Sequence, residues 1–151
     1  MYGVRHVHQR VRYVAEFDCG ACHWEIVVSG RTDVKTVPKP WGHETIWAHN
    51  SLYVGKVLHI KAGQALSVQY HNQKDETIHL LRGEMIYRVG EQGGELRDIG
   101  LKAGESYRNE PGTVHQMEAV TDCDVLEAST PHLDDVVRIS DRYGREGTNA
   151  P

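Results

Sequence analysis

Short runs of alternating apolar and polar residues fill the chain, and no stretch sustains a helical period, so strands are predicted throughout. Val11, Tyr13, Ala15 and Phe17 alternate with polar neighbours, and residues 23–28 read as a return strand after the link at 18–22. Residues 1–36 therefore form an N-terminal extension built on a β-hairpin. Pro38 and Pro40 then force an extended entry into the main body, where helix is excluded. Strands are predicted at 45–48 and 53–60 around the turn His49-Asn50-Ser51, with Val54, Lys56, Leu58 and Ile60 sharing one face. Residues 84–89 and 95–99 flank a hairpin turn at 90–94. A turn at 101–104 leads into a strand at 106–109, the strand around His115 follows, and 124–129 closes the pattern with Val125 and Glu127 on one face. The charge-rich segment 134–145 reads as a short helix or a wrapping arm. Eight or more short antiparallel strands close most naturally as an all-β jelly-roll barrel. An isolated hairpin is marginal in water, so the extension should pack on the barrel or on a partner subunit, and open barrel edges favour a symmetric homodimer.

Length and charge narrow what the barrel can do. With 151 residues the expectation is one main domain, residues 37–146, burying about two-thirds of the surface its unfolded chain exposes, with a tail at 147–151. A net charge of -4 gives no footprint for nucleic acid. No apolar run approaches the ~20 residues of a membrane span, and the first ten residues carry no signal-peptide core, so neither a membrane nor export is expected and the chain is read as cytoplasmic. Cys19, Cys22 and Cys123 are too few and odd in number for a disulfide framework. The run Cys19-Gly20-Ala21-Cys22-His23 matches a short haem-attachment pattern and could also be read as a redox or zinc pair. Without an export signal or a second cysteine pair it is read as coincidence.

The stretch from Gly63 to Gly83 carries the candidate chemistry. In an extended strand Ser67, Gln69 and His71 point one way and Leu66, Val68 and Tyr70 the other. After the polar loop Asn72-Gln73-Lys74-Asp75, a returning strand can bring the Glu76 carboxylate beside the Gln69 amide oxygen and the His71 ring nitrogen. Lys56, on an otherwise apolar face, is either snorkelling from a barrel rim or pointing into a polar cavity.

This spacing resembles the first signature of the cupin family, with Gln69 in place of its first histidine. Gly104, Glu110-Pro111-Gly112 and His115 resemble the second signature, with Glu110 where proline is usual and Ala119 where asparagine is usual. The resemblance implies His115 as a fourth ligand to Gln69, His71 and Glu76. It also implies one divalent ion per chain, zinc first, with manganese, iron, cobalt or nickel also suited to nitrogen and oxygen ligands. The segments KPWGHE, YVGKVLHIKAGQALSVQYH, PGTVH and DDVVRISDRYGR together resemble, over about residues 37–146, the cupin domain of type II mannose-6-phosphate isomerases, in which glutamine is the usual first ligand. That domain is fused in many bacteria to a mannose-1-phosphate guanylyltransferase. The histidine run after the metal strand and the family's Glu-His-Trp are replaced here by His71-Asn72-Gln73 and Glu76-Thr77-Ile78.

The resemblance implies an aldose-ketose isomerase acting on a phosphorylated hexose such as mannose 6-phosphate. Such an enzyme moves a proton between neighbouring carbons through an enediol, for which Glu127 or Lys56 could serve as base. Lys56, Arg138 and Arg142 are candidates for binding the phosphate. Cupins also host other functions, so a non-catalytic sugar or sugar-phosphate binder and an iron-dependent oxygenase stand as alternatives. Against the site stands the plainer reading that His71 and His115 are strand histidines, Glu127 a rim residue, and the arginines of the tail a solvated charge run.

Overall fold

The computed structural model describes residues 30–147. The expected hairpin at 11–28 and the Cys19–His23 run lie outside them. Eleven strands follow one another: β1 (Lys35–Lys39), β2 (Gly42–His49), β3 (Val54–Ile60), β4 (Val68–Tyr70), β5 (Glu76–Arg82), β6 (Glu84–Gly90), β7 (Arg97–Lys102), β8 (Ser106–Asn109), β9 (Val114–Ala119), β10 (Cys123–Ser129) and β11 (Val137–Ser140). They form two antiparallel sheets in the orders β1-β2-β3-β10-β5-β8 and β11-β4-β9-β6-β7. The non-sequential neighbours are those of a jelly roll. Among the described residues no helix is long and apolar enough to cross a membrane.

The proline entry is itself a strand. Pro38 sits in β1, on the outer edge of the six-stranded sheet, where the ladder bond it cannot donate is not needed. The chain turns at Pro40-Trp41 into Gly42, whose φ of +150° and whose contact with the His59 carbonyl, 2.0 Å from where a Cβ would stand, both require glycine. The segment 134–145 holds the short strand β11, which adds to the free side of β4, and no helix. Its Val136-Val137-Arg138-Ile139 run favours extended backbone. The return after the 90–94 turn begins later than expected, at Arg97, and runs on to Lys102 through the predicted turn.

Register divides the interior into an apolar end and a polar end. On three adjacent strands the inward residues align in layers: Ile60 with Cys123, Leu58 with Val125 and Leu80, Lys56 with Glu127 and Ile78, and Val54 with Ser129 and Glu76. The first two layers join Met85, Tyr87, Leu101 and Met117 from the other sheet in the core. Further along the strands the inward positions become charged: Lys56 and Glu127 in the third layer and Glu76 in the fourth, all buried. Because side chains alternate with a period of two, the same strand faces supply the core at one end and a charged cavity at the other.

Candidate metal centre and its cavity

Strands β5 and β9 and the end of β4 bring His71, Glu76 and His115 together, with donor atoms within 4.8 Å of one another, and all three are buried. Each histidine is held by its far nitrogen. His71 Nδ1 donates to the Asp135 carbonyl, and His115 Nδ1 donates to the Thr113 carbonyl at 3.0 Å. A carbonyl oxygen can only accept, so both protons sit on Nδ1 and both Nε2 lone pairs face inward. The two Nε2 atoms are buried without a hydrogen-bond partner. They stand 3.7 Å and 3.1 Å from the two Glu76 oxygens. Three electron-pair donors converging in a buried space, each imidazole oriented from behind, form a set that fits a divalent cation.

Glu76 is oriented in its turn. Asn109 Nδ2 donates to its Oε1 at 2.9 Å, and the Tyr87 hydroxyl donates to Asn109 Oδ1. Burial alone would raise the Glu76 pKa, but the Lys74 ammonium holds it well below the ordinary value. Gln69 stands opposite His115 in the β4–β9 register, on the same face, and its amide oxygen accepts from Ser67 Oγ at 2.7 Å.

Next to this group lies a cavity of about 250 Å³. Lys35, Lys39, Lys56, Lys74, Arg138 and Arg145 line it as cations, against the carboxylates of Glu44, Glu76, Glu127 and Asp134. Lys56 points inward, so the cavity alternative for that residue is the one realised, with its Nζ 3.6 Å from Glu127 and 3.7 Å from Glu44. Glu127 accepts from Lys74 at 2.8 Å and from Ser129 Oγ at 3.1 Å. Burial raises its pKa, yet Lys74 and Lys56 bring it below the ordinary value, so Glu127 is a carboxylate at neutral pH.

Arg138 faces the cavity from β11, opposite Gln69. Arg142 is not among the residues lining it. Its guanidinium lies against Glu118 at 2.7 Å and the Gly63 carbonyl at 3.2 Å. Arg145 lines the cavity instead, clasped by both oxygens of Asp141. The turn at 141–145 thus carries one arginine inward and one outward.

Three residues outside the sequence-derived set hold this site together. Lys74, read above as part of a polar loop, is buried between Glu76 and Glu127. Burial would lower its pKa, but the two carboxylates outweigh that and keep it charged. Its one sequence signal is its place two residues before Glu76, on the same face of an extended chain. Asn109 is the second. Asp135 is the third: besides its carbonyl bond to His71, its carboxylate accepts from the backbone N–H groups of Asn72, Gln73 and Lys74 at 2.6 to 3.0 Å.

Burial would raise the Asp135 pKa, but those three donors hold it at about 2, against an ordinary 3.8. A depressed carboxylate stabilises the fold fully above its unfolded pKa, and that contribution is lost as pH falls through the folded value. Acid titration of Asp135→Asn should therefore show a flatter loss of thermal stability between pH 3.8 and about 2 than the parent protein. Parallel curves would mean that this carboxylate does not anchor the loop.

The family comparison agrees with the geometry. Residues 56–128 match the family model described as "Cupin domain". The barrel has the jelly-roll fold of the cupins, and the matched residues lie within it. A curated relative, mannose-1-phosphate guanylyltransferase ManC of Salmonella typhimurium, is 31% identical over 149 residues, 93% of this chain. The chain spans 28% of that relative's length. Among solved structures, CapF with the inhibitor 3-isopropenyl-tropolone superposes with a TM-score of 0.63 at 16% identity, over 76% of this chain and 36% of that one. KdgF from Halomonas sp. gives 0.56 at 21% identity, over 66% and 88%. At these identities the two structures speak for the fold alone. The ManC match agrees with the resemblance read from the KPWGHE, PGTVH and DRYGR segments.

Proposed function

We propose that this cupin is a metal-dependent isomerase of a phosphorylated sugar, converting aldose to ketose through an enediol, with mannose 6-phosphate to fructose 6-phosphate as the reference reaction. The observation that carries the proposal is the junction of an inward-facing His71/Glu76/His115 group with a cavity whose lining holds six cations and four carboxylates. Such a lining suits a small anion that also presents oxygen ligands. The similarity to ManC supports a sugar phosphate as that anion.

His71, Glu76 and His115, with Gln69 beside them, would hold the ion, and their nitrogen and oxygen donors suit zinc, manganese, iron, cobalt or nickel. When bound, a divalent ion supplies Lewis-acid stabilisation of negative charge developing on the sugar oxygens. The proton transfer itself belongs to the chain. Glu127, ionised and buried in the cavity wall, takes the proton from one carbon and returns it to the next. It would act through Oε2, since its contacts with Lys74, Lys56 and Ser129 all fall on Oε1. Lys56 donates to a substrate oxygen. Arg138, with Arg145 and Lys39 near it on the lining, receives the phosphate, and Arg142 is left out because it lies off the cavity against Glu118.

Incubation of the metal-loaded protein with mannose 6-phosphate in deuterated water tests the reading. An enediol exposes the abstracted proton to solvent, so deuterium should appear at the carbon next to the carbonyl. Binding without exchange would make the protein a sugar-phosphate sensor. No exchange or turnover with any hexose or pentose phosphate would end the isomerase reading.

A further inference from the structure

Lys74 stands where a metal ion would have to compete with it. Its side chain, 6% exposed, reaches Oε2 of Glu76 and lies 2.8 Å from Oε1 of Glu127. The alternation continues outward from there. Glu127 meets Lys56 at 3.6 Å, Lys56 meets Glu44 at 3.7 Å, and Glu44 meets Lys39 at 3.2 Å. Three carboxylates and three ammonium groups alternate from the candidate ligand toward β1, and their charges cancel. Burying an ammonium group is costly unless it is paired, and here the pairing includes the one carboxylate of the candidate ligand set.

We infer that Lys74 is a built-in competitor for the divalent ion: its ammonium neutralises Glu76 until an ion binds, must then leave Oε2 for Glu127, and so sets the metal affinity of the site below what the ligands alone would give. The inference rests on the metal-binding reading above. The displacement is short, because Nζ already touches the carboxylate that receives it. Like charges sharing one buried oxygen repel strongly at the low effective dielectric of an interior. An ion that enters also leaves the formerly balanced cluster with two surplus positive charges, which an anionic ligand in the cavity offsets. Lys74 is thus a positioning residue for the ion and for the charge of the cavity.

Titration of the full chain with zinc, followed by calorimetry and by competition with a chromogenic chelator, reads this out without any assay of activity. Lys74→Met should bind zinc at least about tenfold tighter than the parent protein. Glu127→Gln, which leaves the displaced ammonium only a neutral acceptor in place of a carboxylate, should bind it about tenfold more weakly. Equal or weaker binding by Lys74→Met would overturn the inference and make Lys74 a support that holds Glu76 in place. Should Lys74→Met fail to fold, Glu127→Gln decides alone, and unchanged or tighter binding by it overturns the inference equally. A parent protein that binds no zinc, manganese, iron, cobalt or nickel brings down the metal reading and the inference with it. A parent that binds well, beside variants that do not move, sinks the inference only.

Discussion

His115→Ala should leave the purified protein with its divalent-ion affinity reduced by more than about a hundredfold, because losing even an outer hydrogen-bond partner of a ligand typically costs ten- to a hundredfold. His115 supplies one of two oriented Nε2 atoms, 3.1 Å from Glu76, and its ring is 1% exposed, so its removal takes one of three convergent donors out of a buried site. His71→Ala should do the same. Elemental analysis after dialysis, with a thermal melt to show that both variants remain folded, gives the result. His79→Ala is the control, since that ring lies on the outer face against Ser106. If the His71 and His115 variants both keep full occupancy, the ion is bound elsewhere and the site must be redrawn.

The sequence made one class of feature legible, namely the face on which a strand residue falls. Period-two alternation alone puts Val54, Lys56, Leu58 and Ile60 on one side and Val125 with Glu127 on another, and both sets point inward. The proximity of His71 and Glu76 follows from a strand, a short loop and a return, all within a few residues. What alternation cannot supply is pairing across the chain. The Asp135 cap on residues 72–74 spans more than sixty positions and depends on β11 adding to β4, a pairing with no local signal. Lys74 escaped for a different reason. A lysine in a run of Asn, Gln and Asp reads as solvated, and only the depth of Glu76 and Glu127 makes it a buried counter-ion. Arg142 shows the converse: it is a phosphate candidate by sequence, but across the turn at Gly144 it is Arg145 that lines the cavity.

Glu127→Gln should reduce isomerisation of mannose 6-phosphate by about a hundred- to ten-thousandfold in kcat, the range that loss of a positioned general base produces. The substitution keeps the shape of the side chain and its capacity to accept from Lys74 and Ser129, but an amide cannot take up the substrate proton at neutral pH. Measurements belong at metal concentrations that saturate both proteins, so that weaker ion binding by the variant does not pass for lost chemistry. Deuterium incorporation from solvent should fall by the same factor as turnover. The split between kinetic constants separates the roles that Glu127 could have. If its carboxylate only anchors Lys56 and Lys74, the loss should appear in KM, with kcat and deuterium exchange nearly kept. If it is the base, substrate still binds and the chemical step stops. Retention of both kcat and exchange in Glu127→Gln would move the proton transfer to another cavity residue, and Lys56, 3.6 Å away on β3, is the next to test.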